Sequence, residues 1–178
     1  MPVRHAVPGD AVALARVHVH TWQAAYAGLI PQDYLDSLDP AQREPGWRQW
    51  LEGIRPPGAI LVWADGTAPP VGFVAIQPSR DPGAEAGEIT AIYLLPAYQG
   101  TGAGRELMTA AVDHLTAAGF RRATLWVLAT NVRARRFYEA AGWLPDGASK
   151  VDSSRGFPLD EVRYSRGLTP QGLRPTAP

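Results

Sequence analysis

The sequence predicts a single α/β domain, and three observations carry that reading. The chain has 178 residues, one domain's length, and 46% of them are hydrophobic, enough to fill a core. The first half carries helical stretches followed by two strand-like runs around a short turn, the pattern of an antiparallel pair. The second half runs strand, helix, strand, helix.

Val3 to His5 is a short strand, and Asp10 stands where it can cap a helix from Ala11 to Ala27 that Gly28 ends. Pro31 suits the first turn of a second short helix reaching about Leu38. Gln42 to Ile54 forms a third helix, weakened by Pro45 and Gly46. Ala59 to Ala64 and Val71 to Gln77 make a hairpin around Asp65 to Pro70. After a Pro/Gly/Ala loop, Glu88 to Leu95 is a strand that Pro96 closes. Leu107, Met108, Ala111, Val112 and Leu115 recur at helical spacing between Gly102 and Gly119. Ala123 to Ala129 is the near-continuous apolar run of a buried strand, and Asn131 starts a helix ending near Gly142. A Gly/Ser/Asp segment without clear periodicity follows, then a last strand from Val162 to Ser165. The composition from Gly167 onward cannot build a packed element, so residues 1–168 are expected to form the domain and 169–178 a flexible tail.

Composition excludes several function classes. Seventeen basic and seventeen acidic residues cancel, so no global field favours nucleic acid or an anionic membrane. Without cysteine there is no thiolate nucleophile or thiolate metal site, and four scattered histidines lack ligand spacing, so no metal is expected. No apolar run spans a bilayer, and Met1 to Asp10 lacks the pattern of a secretion signal; the expectation is a cytoplasmic protein with no membrane partner.

The chemistry concentrates at Gln99-Gly100-Thr101-Gly102-Ala103-Gly104, between a strand and a helix. Small residues there leave the first N–H groups of the helix open to an anion such as a pyrophosphate; the plain alternative is a tight turn for close packing. A P-loop needs a lysine and a hydroxyl where Arg105 and Glu106 stand. A dinucleotide fold needs a third glycine three residues after the second and an acid after the next strand, where Ala129-Thr130-Asn131 stands. Both common phosphate folds fit badly.

Pro96-x-Tyr98-Gln99-Gly100-x-Gly102-x-Gly104 resembles the acetyl-CoA signature, Gln/Arg-x-x-Gly-x-Gly/Ala, of the GNAT superfamily of N-acetyltransferases. Leu125-Trp126-Val127-Leu128-x-x-Asn131-x-x-Ala134-x-x-Phe137-Tyr138-Glu139-x-x-Gly142-Trp143 is similar to that superfamily's second cofactor motif, in the expected order. The two motifs cover residues 88 to 143. The resemblance implies a mixed, strongly twisted sheet of about six or seven strands flanked by helices. Its two central parallel strands would splay apart, with acetyl-CoA lying in the V. It also implies that Gln99, Gly100, Thr101, Gly102, Ala103 and Gly104 hold the coenzyme phosphates, and that Leu94 and Leu95 offer backbone groups to the pantetheine arm and thioester.

Asn131 and Tyr138 are seven residues apart, so they share one helix face about 10 Å apart. Asn131 reads either as a helix cap or, by resemblance, as a ligand of the amide-rich pantetheine arm. Tyr138 reads as a half-buried core aromatic or, by resemblance, as the general acid that protonates the departing thiolate. Glu88 resembles the acid that many family members use as base through a water, and simple alternation puts Thr90 and Ile92 on its side; Glu85 is the fallback. Arg105, Arg133, Arg135 and Arg136 could pair with a coenzyme phosphate or simply face solvent. His18, Trp22 and Tyr26 form a stripe that reads as core, yet the first helices wall the acceptor site in the resembling family, so Trp22 and Tyr26 could bind an amine and His18 or His20 could act as base. The expected function is transfer of acetyl from acetyl-CoA directly to a primary amine, most simply of a small molecule, with no acyl-enzyme. A protein N-terminus or lysine is the enzymatic alternative and a non-catalytic acyl-CoA sensor the other; the resemblance is compatible with a homodimer.

Overall fold

In a computed structural model, which describes residues 2–169, seven strands form one mixed sheet: β1 (Val3–His5), β2 (Ala59–Trp63), β3 (Gly72–Pro78), β4 (Gly87–Leu94), β5 (Arg122–Leu128), β6 (Leu144–Asp152) and β7 (Leu159–Gly167). The spatial order is β1-β2-β3-β4-β5-β7-β6, antiparallel throughout except for the parallel pair β4 and β5. Helices α1 (Ala11–Ala25), α2 (Gln32–Asp36) and α3 (Pro40–Gly53) lie in the first half, α4 (Ala103–Ala117) and α5 (Val132–Ala140) in the second.

Two buried clusters sandwich the sheet. Leu107, Met108, Ala111 and Leu115 of α4 pack with Leu61, Val74, Ile76, Ile89, Leu125 and Val127 on one face, where Phe137 and Tyr138 of α5 join them. Ala11, Leu14, Ala15 and Val17 of α1 and Trp47 and Leu51 of α3 pack with Ile60, Val62, Phe73 and Ala75 on the other. A third cluster, with Trp22, Ile30, Leu35, Leu128 and Leu159, continues that second face beneath α2. These anchors explain why α3 runs unbroken through Pro45: burial of Trp47 and Leu51 outweighs the lost hydrogen bond.

Several local readings of the sequence need correction. Asp10 stands at the N-cap position of α1 but its side chain makes no cap hydrogen bond to that helix; its carboxylate accepts two hydrogen bonds from the Arg4 guanidinium, at 2.8 and 2.9 Å, and one from the Val7 N–H. The Gly/Ser/Asp segment is a full strand, β6, hidden because it is an edge strand with mostly exposed residues and a register irregularity between Pro145 and Ser149. Gly167 pairs with Arg122 and Leu168 is buried, so the last strand runs past Ser165; residues 170–178 lie outside the described residues.

β4 and β5 pair only at Gly87↔Ala123, Glu88↔Thr124 and Ile89↔Leu125 and then separate. At that point β4 carries a bulge: Ala75 faces Ala91 and Ile76 faces Ile89, leaving Thr90 unpaired with its Oγ1 donating to Ala75 O at 3.3 Å. A bulge bends its strand and sharpens the twist, which turns β4 away from β5. It also resets the side-chain alternation. Ile89 and Ile92 both pack toward α4, while Ala91 and Tyr93 pack toward α1 and α3, so Ile92 is not on the side of Glu88 as plain alternation implies.

His18 of α1 stacks on Tyr93 with ring centroids 5.6 Å apart and meets Trp22 and Trp47 edge-on. Burial, reinforced by the charges of Arg43 and Arg155, lowers its pKa to about 4. A histidine depressed in the folded state contributes stability that is full above about pH 6.5 and lost toward pH 4, because the unfolded chain takes up a proton that the folded one refuses. Each unit is worth about 1.4 kcal/mol, so denaturant titrations should show on the order of 2–3 kcal/mol lost across that window, and His18→Phe should flatten the curve there. A Cβ at Gly87 would collide with the buried side chain of Leu115. Gly87→Ala should therefore cost about 1–3 kcal/mol in the urea midpoint, as overpacked cores do.

Candidate active site

The parting strands open a cleft of about 850 Å³. Ladder alternation decides which backbone groups of β4 enter it. Leu95 donates its N–H to Val71 O at 2.9 Å, toward β3, so Tyr93 and Leu95 point their backbone groups to β3 and Ile92 and Leu94 point theirs into the cleft. The Leu94 carbonyl already accepts from Gln99 Nε2 at 3.1 Å and from Thr21 Oγ1 at 3.3 Å. Leu94 thus sits where expected, whereas Leu95 is turned away and does not line the cleft.

At one end the cleft meets the start of α4. Gly100 and Gly102 adopt φ of +82° and +99°, a region that side chains rarely visit, and Gly102 is the cap of α4. Gln99, Gly100, Gly102, Gly104 and Arg105 line the cleft, with Arg133 facing from α5; Thr101 and Ala103 do not line it. Thr101 instead turns its hydroxyl to Tyr98 O at 2.7 Å, and Ala103 is buried against Val71 and Leu94. Open N–H groups at a helix start, flanked by two guanidinium groups, suit a phosphate or pyrophosphate. Arg135 is spent on structure, donating to Ala129 O and to the Tyr164 hydroxyl, and Arg136 does not line the cleft.

Asn131 serves as cap of α5, its side-chain oxygen accepting from Ala134 N–H at 3.1 Å while the residue is 8% exposed. That leaves its side-chain NH₂ for a ligand in the cleft, which the residue lines. Tyr138 lines the cleft from the same helix, beside Phe137 and Tyr164. Burial pushes its pKa well above the ordinary tyrosine range, so the hydroxyl stays protonated near neutrality.

The opposite end of the cleft lies under α1. Trp22 and Tyr26 line it as expected, packed edge to face at 4.8 Å, with Tyr93 beside them. Burial raises the pKa of both Tyr26 and Tyr93. Glu88 is there too, but only 1% exposed and held by Arg80: the guanidinium reaches both carboxylate oxygens, at 2.6 to 3.3 Å, and the Arg80 N–H adds a bond of 2.9 Å. Glu85 is exposed and off the cleft, as is His20, and His18 is half-buried among aromatic rings that keep it neutral. The residues that sequence reasoning missed come mostly from β6, β7 and the turn between them. Lys150 sits over the Trp126 ring at 4.2 Å, Arg155 over Trp22 at 5.0 Å, and Asp152 and Glu161 join them in the lining. Phe157 of the same turn meets Tyr34 of α2 at 5.1 Å, closing this end over. The one available signal was that strand ends and loops beside a cleft carry mixed charge, and β6 gave no pattern by which to align them.

Comparisons with known proteins agree with this architecture. Residues 19–143 match the model of the Acetyltransferase (GNAT) family. The chain is 35% identical over 131 residues to YuaI, an uncharacterized N-acetyltransferase of Bacillus subtilis (strain 168), covering 72% of each protein. It is 33% identical over 141 residues to an uncharacterized N-acetyltransferase of Archaeoglobus fulgidus, covering 78% of this chain and 89% of that relative. The fold matches that of paiA N-acetyltransferase from Thermoplasma acidophilum, solved in complex with coenzyme A, with a TM-score of 0.68 at 19% identity over 93% of this chain and 97% of that one. A family match across most of the chain, with the splayed strands and the glycine turn in register with it, places this protein in the GNAT family of acetyltransferases.

Proposed function

We propose that this N-acetyltransferase moves the acetyl group of acetyl-CoA directly to the primary amine of a small molecule, both bound at once in the cleft between β4 and β5. The observation that carries the reading is the two-ended cleft: an anion-ready helix start at one end, an aromatic chamber with paired charges at the other, and Tyr138 lining the space they share. The turn from Gln99 to Gly104 and Arg105 hold the coenzyme pyrophosphate by backbone N–H groups and charge. The side-chain NH₂ of Asn131 and the backbone of Ile92 and Leu94 hold the pantetheine arm and thioester in the strand gap, as a third strand would. Trp22 and Tyr26 face the acceptor. Tyr138 donates its proton to the departing sulfur, turning a thiolate leaving group into a thiol. Closure of the acceptor end by the contacts of Arg155 with Trp22 and of Phe157 with Tyr34 supports a compact acceptor over an extended peptide.

The deciding experiment is an amine panel, small molecules and peptides together, followed by release of CoA; turnover confined to peptides would refute the small-molecule assignment. Gly102→Val places a branched side chain where φ is +99° and disturbs the anion-binding N–H groups. Losing one or two such hydrogen bonds should raise the acetyl-CoA Kd by roughly 10- to 100-fold in calorimetry, with an unchanged circular dichroism spectrum. Tyr138→Phe should keep coenzyme affinity while slowing single-turnover transfer, by about 10²-fold at the low end of acid catalysis because thiolate is a fair leaving group. An unchanged single-turnover rate would reduce Tyr138 to a packing residue.

A further inference from the structure

We propose that Glu161 of β7 is the base that takes the proton from the acceptor amine, and that Glu88 positions Arg80 instead. The proposal rests on the acetyl-transfer reading above and adds to it the group on which the amine depends.

An amine with a pKa near 10 is mostly protonated at neutral pH, and even its free form must shed a proton once it has bonded to carbon. The group that receives that proton must be a carboxylate or equivalent with a lone pair facing the acceptor. Glu88 does not offer one: four hydrogen bonds from Arg80 occupy both its oxygens, and its side chain is buried beneath that guanidinium. Glu161 does. It stands opposite Leu128, at the end of β5 where the cleft is widest, and alternation along β7 puts it on the face of Leu159, which packs with Trp22 in the acceptor wall. Its side chain lines the cleft and is 19% exposed, and its ion pair with Lys150 Nζ, at 3.6 Å, is longer than a hydrogen bond. One oxygen therefore remains available to the acceptor nitrogen.

The surroundings of Glu161 are mixed. Lys150 and Asp152 face it from β6 and Arg155 from the turn, Tyr26 from α1, Tyr93 from β4, and Arg80 from the segment before β4. Burial raises its pKa, against the pull of the Lys150 charge, which makes the carboxylate a stronger base than one in water. Glu161 and Tyr138 line the same cleft. In the step, the amine nitrogen bonds to the thioester carbonyl carbon and its proton passes to Glu161. The carbon–sulfur bond breaks, sulfur takes the proton of the Tyr138 hydroxyl, and Glu161 returns its proton to the Tyr138 oxygen through solvent. The balance is amine plus thioester giving amide plus thiol.

The test uses the full chain, acetyl-CoA and the best amine of the panel at saturation, with single-turnover rates measured across pH. Glu161→Gln should bind acetyl-CoA with parental affinity, lose about 10²- to 10⁴-fold in rate, and lose the acid limb of the parental profile. Glu88→Gln should keep that limb. Glu161→Ala should regain rate with added formate, a small carboxylate that can occupy the vacated position; a merely structural role would not be rescued. A parental rate and acid limb in Glu161→Gln, or a lost limb in Glu88→Gln alone, or no formate rescue of Glu161→Ala, would overturn the assignment while leaving acetyl transfer intact. A parental enzyme that binds acetyl-CoA yet acetylates nothing in the panel would instead overturn the transfer reading, and the base assignment with it.

Discussion

The separation of β4 from β5 after Ile89 is the constraint on which the site depends. Parallel strands normally continue their ladder; here three pairs form and then the bulge at Thr90 turns β4 away. The backbone groups of Ile92 and Leu94 are left facing a gap instead of a neighbour. Buried backbone groups without partners are costly, so a gap of this kind is stable only when water, side chains or a ligand fill it. Thr21 and Gln99 already reach across to the Leu94 carbonyl, which shows how the fold tolerates the opening.

Everything else is arranged around that opening. α4 fixes one end, and its amphipathic face is anchored by Leu107, Met108, Ala111 and Leu115, so the glycine turn is held rigidly at the strand tips. α5 enters from the other strand with Asn131 as both cap and cleft residue, coupling the position of Tyr138 to a hydrogen bond at the helix start. At the end of the cleft under α1 the charges come in pairs: Arg80 with Glu88, Lys150 with Glu161, Arg155 with Asp152. These pairs differ in tightness, and the loosest of them leaves a carboxylate free to exchange a proton. That difference, more than the mere presence of acids, separates a structural carboxylate from a candidate base.

The glycine turn, Asn131 and Tyr138 were legible in the sequence, whereas at the other end of the cleft only Trp22 and Tyr26 were. Gly100, Gly102, Asn131 and Tyr138 lie in contiguous motifs, where the required backbone conformation restricts residue type and spacing follows one helix. Glu161, Lys150 and Arg155 come from an exposed edge strand, its partner and a turn, brought to the cleft by sheet order alone. Plain alternation misplaces Ile92 for a related reason: a bulge inserts one residue and reverses every side chain beyond it, and nothing in Glu88 to Leu95 announces it. Leu95, Thr101 and Ala103 adjoin cleft-lining residues in sequence, but the ladder and the helix turn them the other way.

Residue-resolved amide hydrogen exchange with and without acetyl-CoA tests the central claim, that the strand gap is where the coenzyme arm binds. Leu95 is bonded to Val71 in either state, so its amide should exchange at the same rate. The Leu94 amide should slow strongly when acetyl-CoA is present. Protection at Leu94 and at the turn amides from Gly102 to Arg105, with Leu95 unchanged, is the result the account predicts. Equal exchange at Leu94 in a protein that demonstrably binds acetyl-CoA would contradict it.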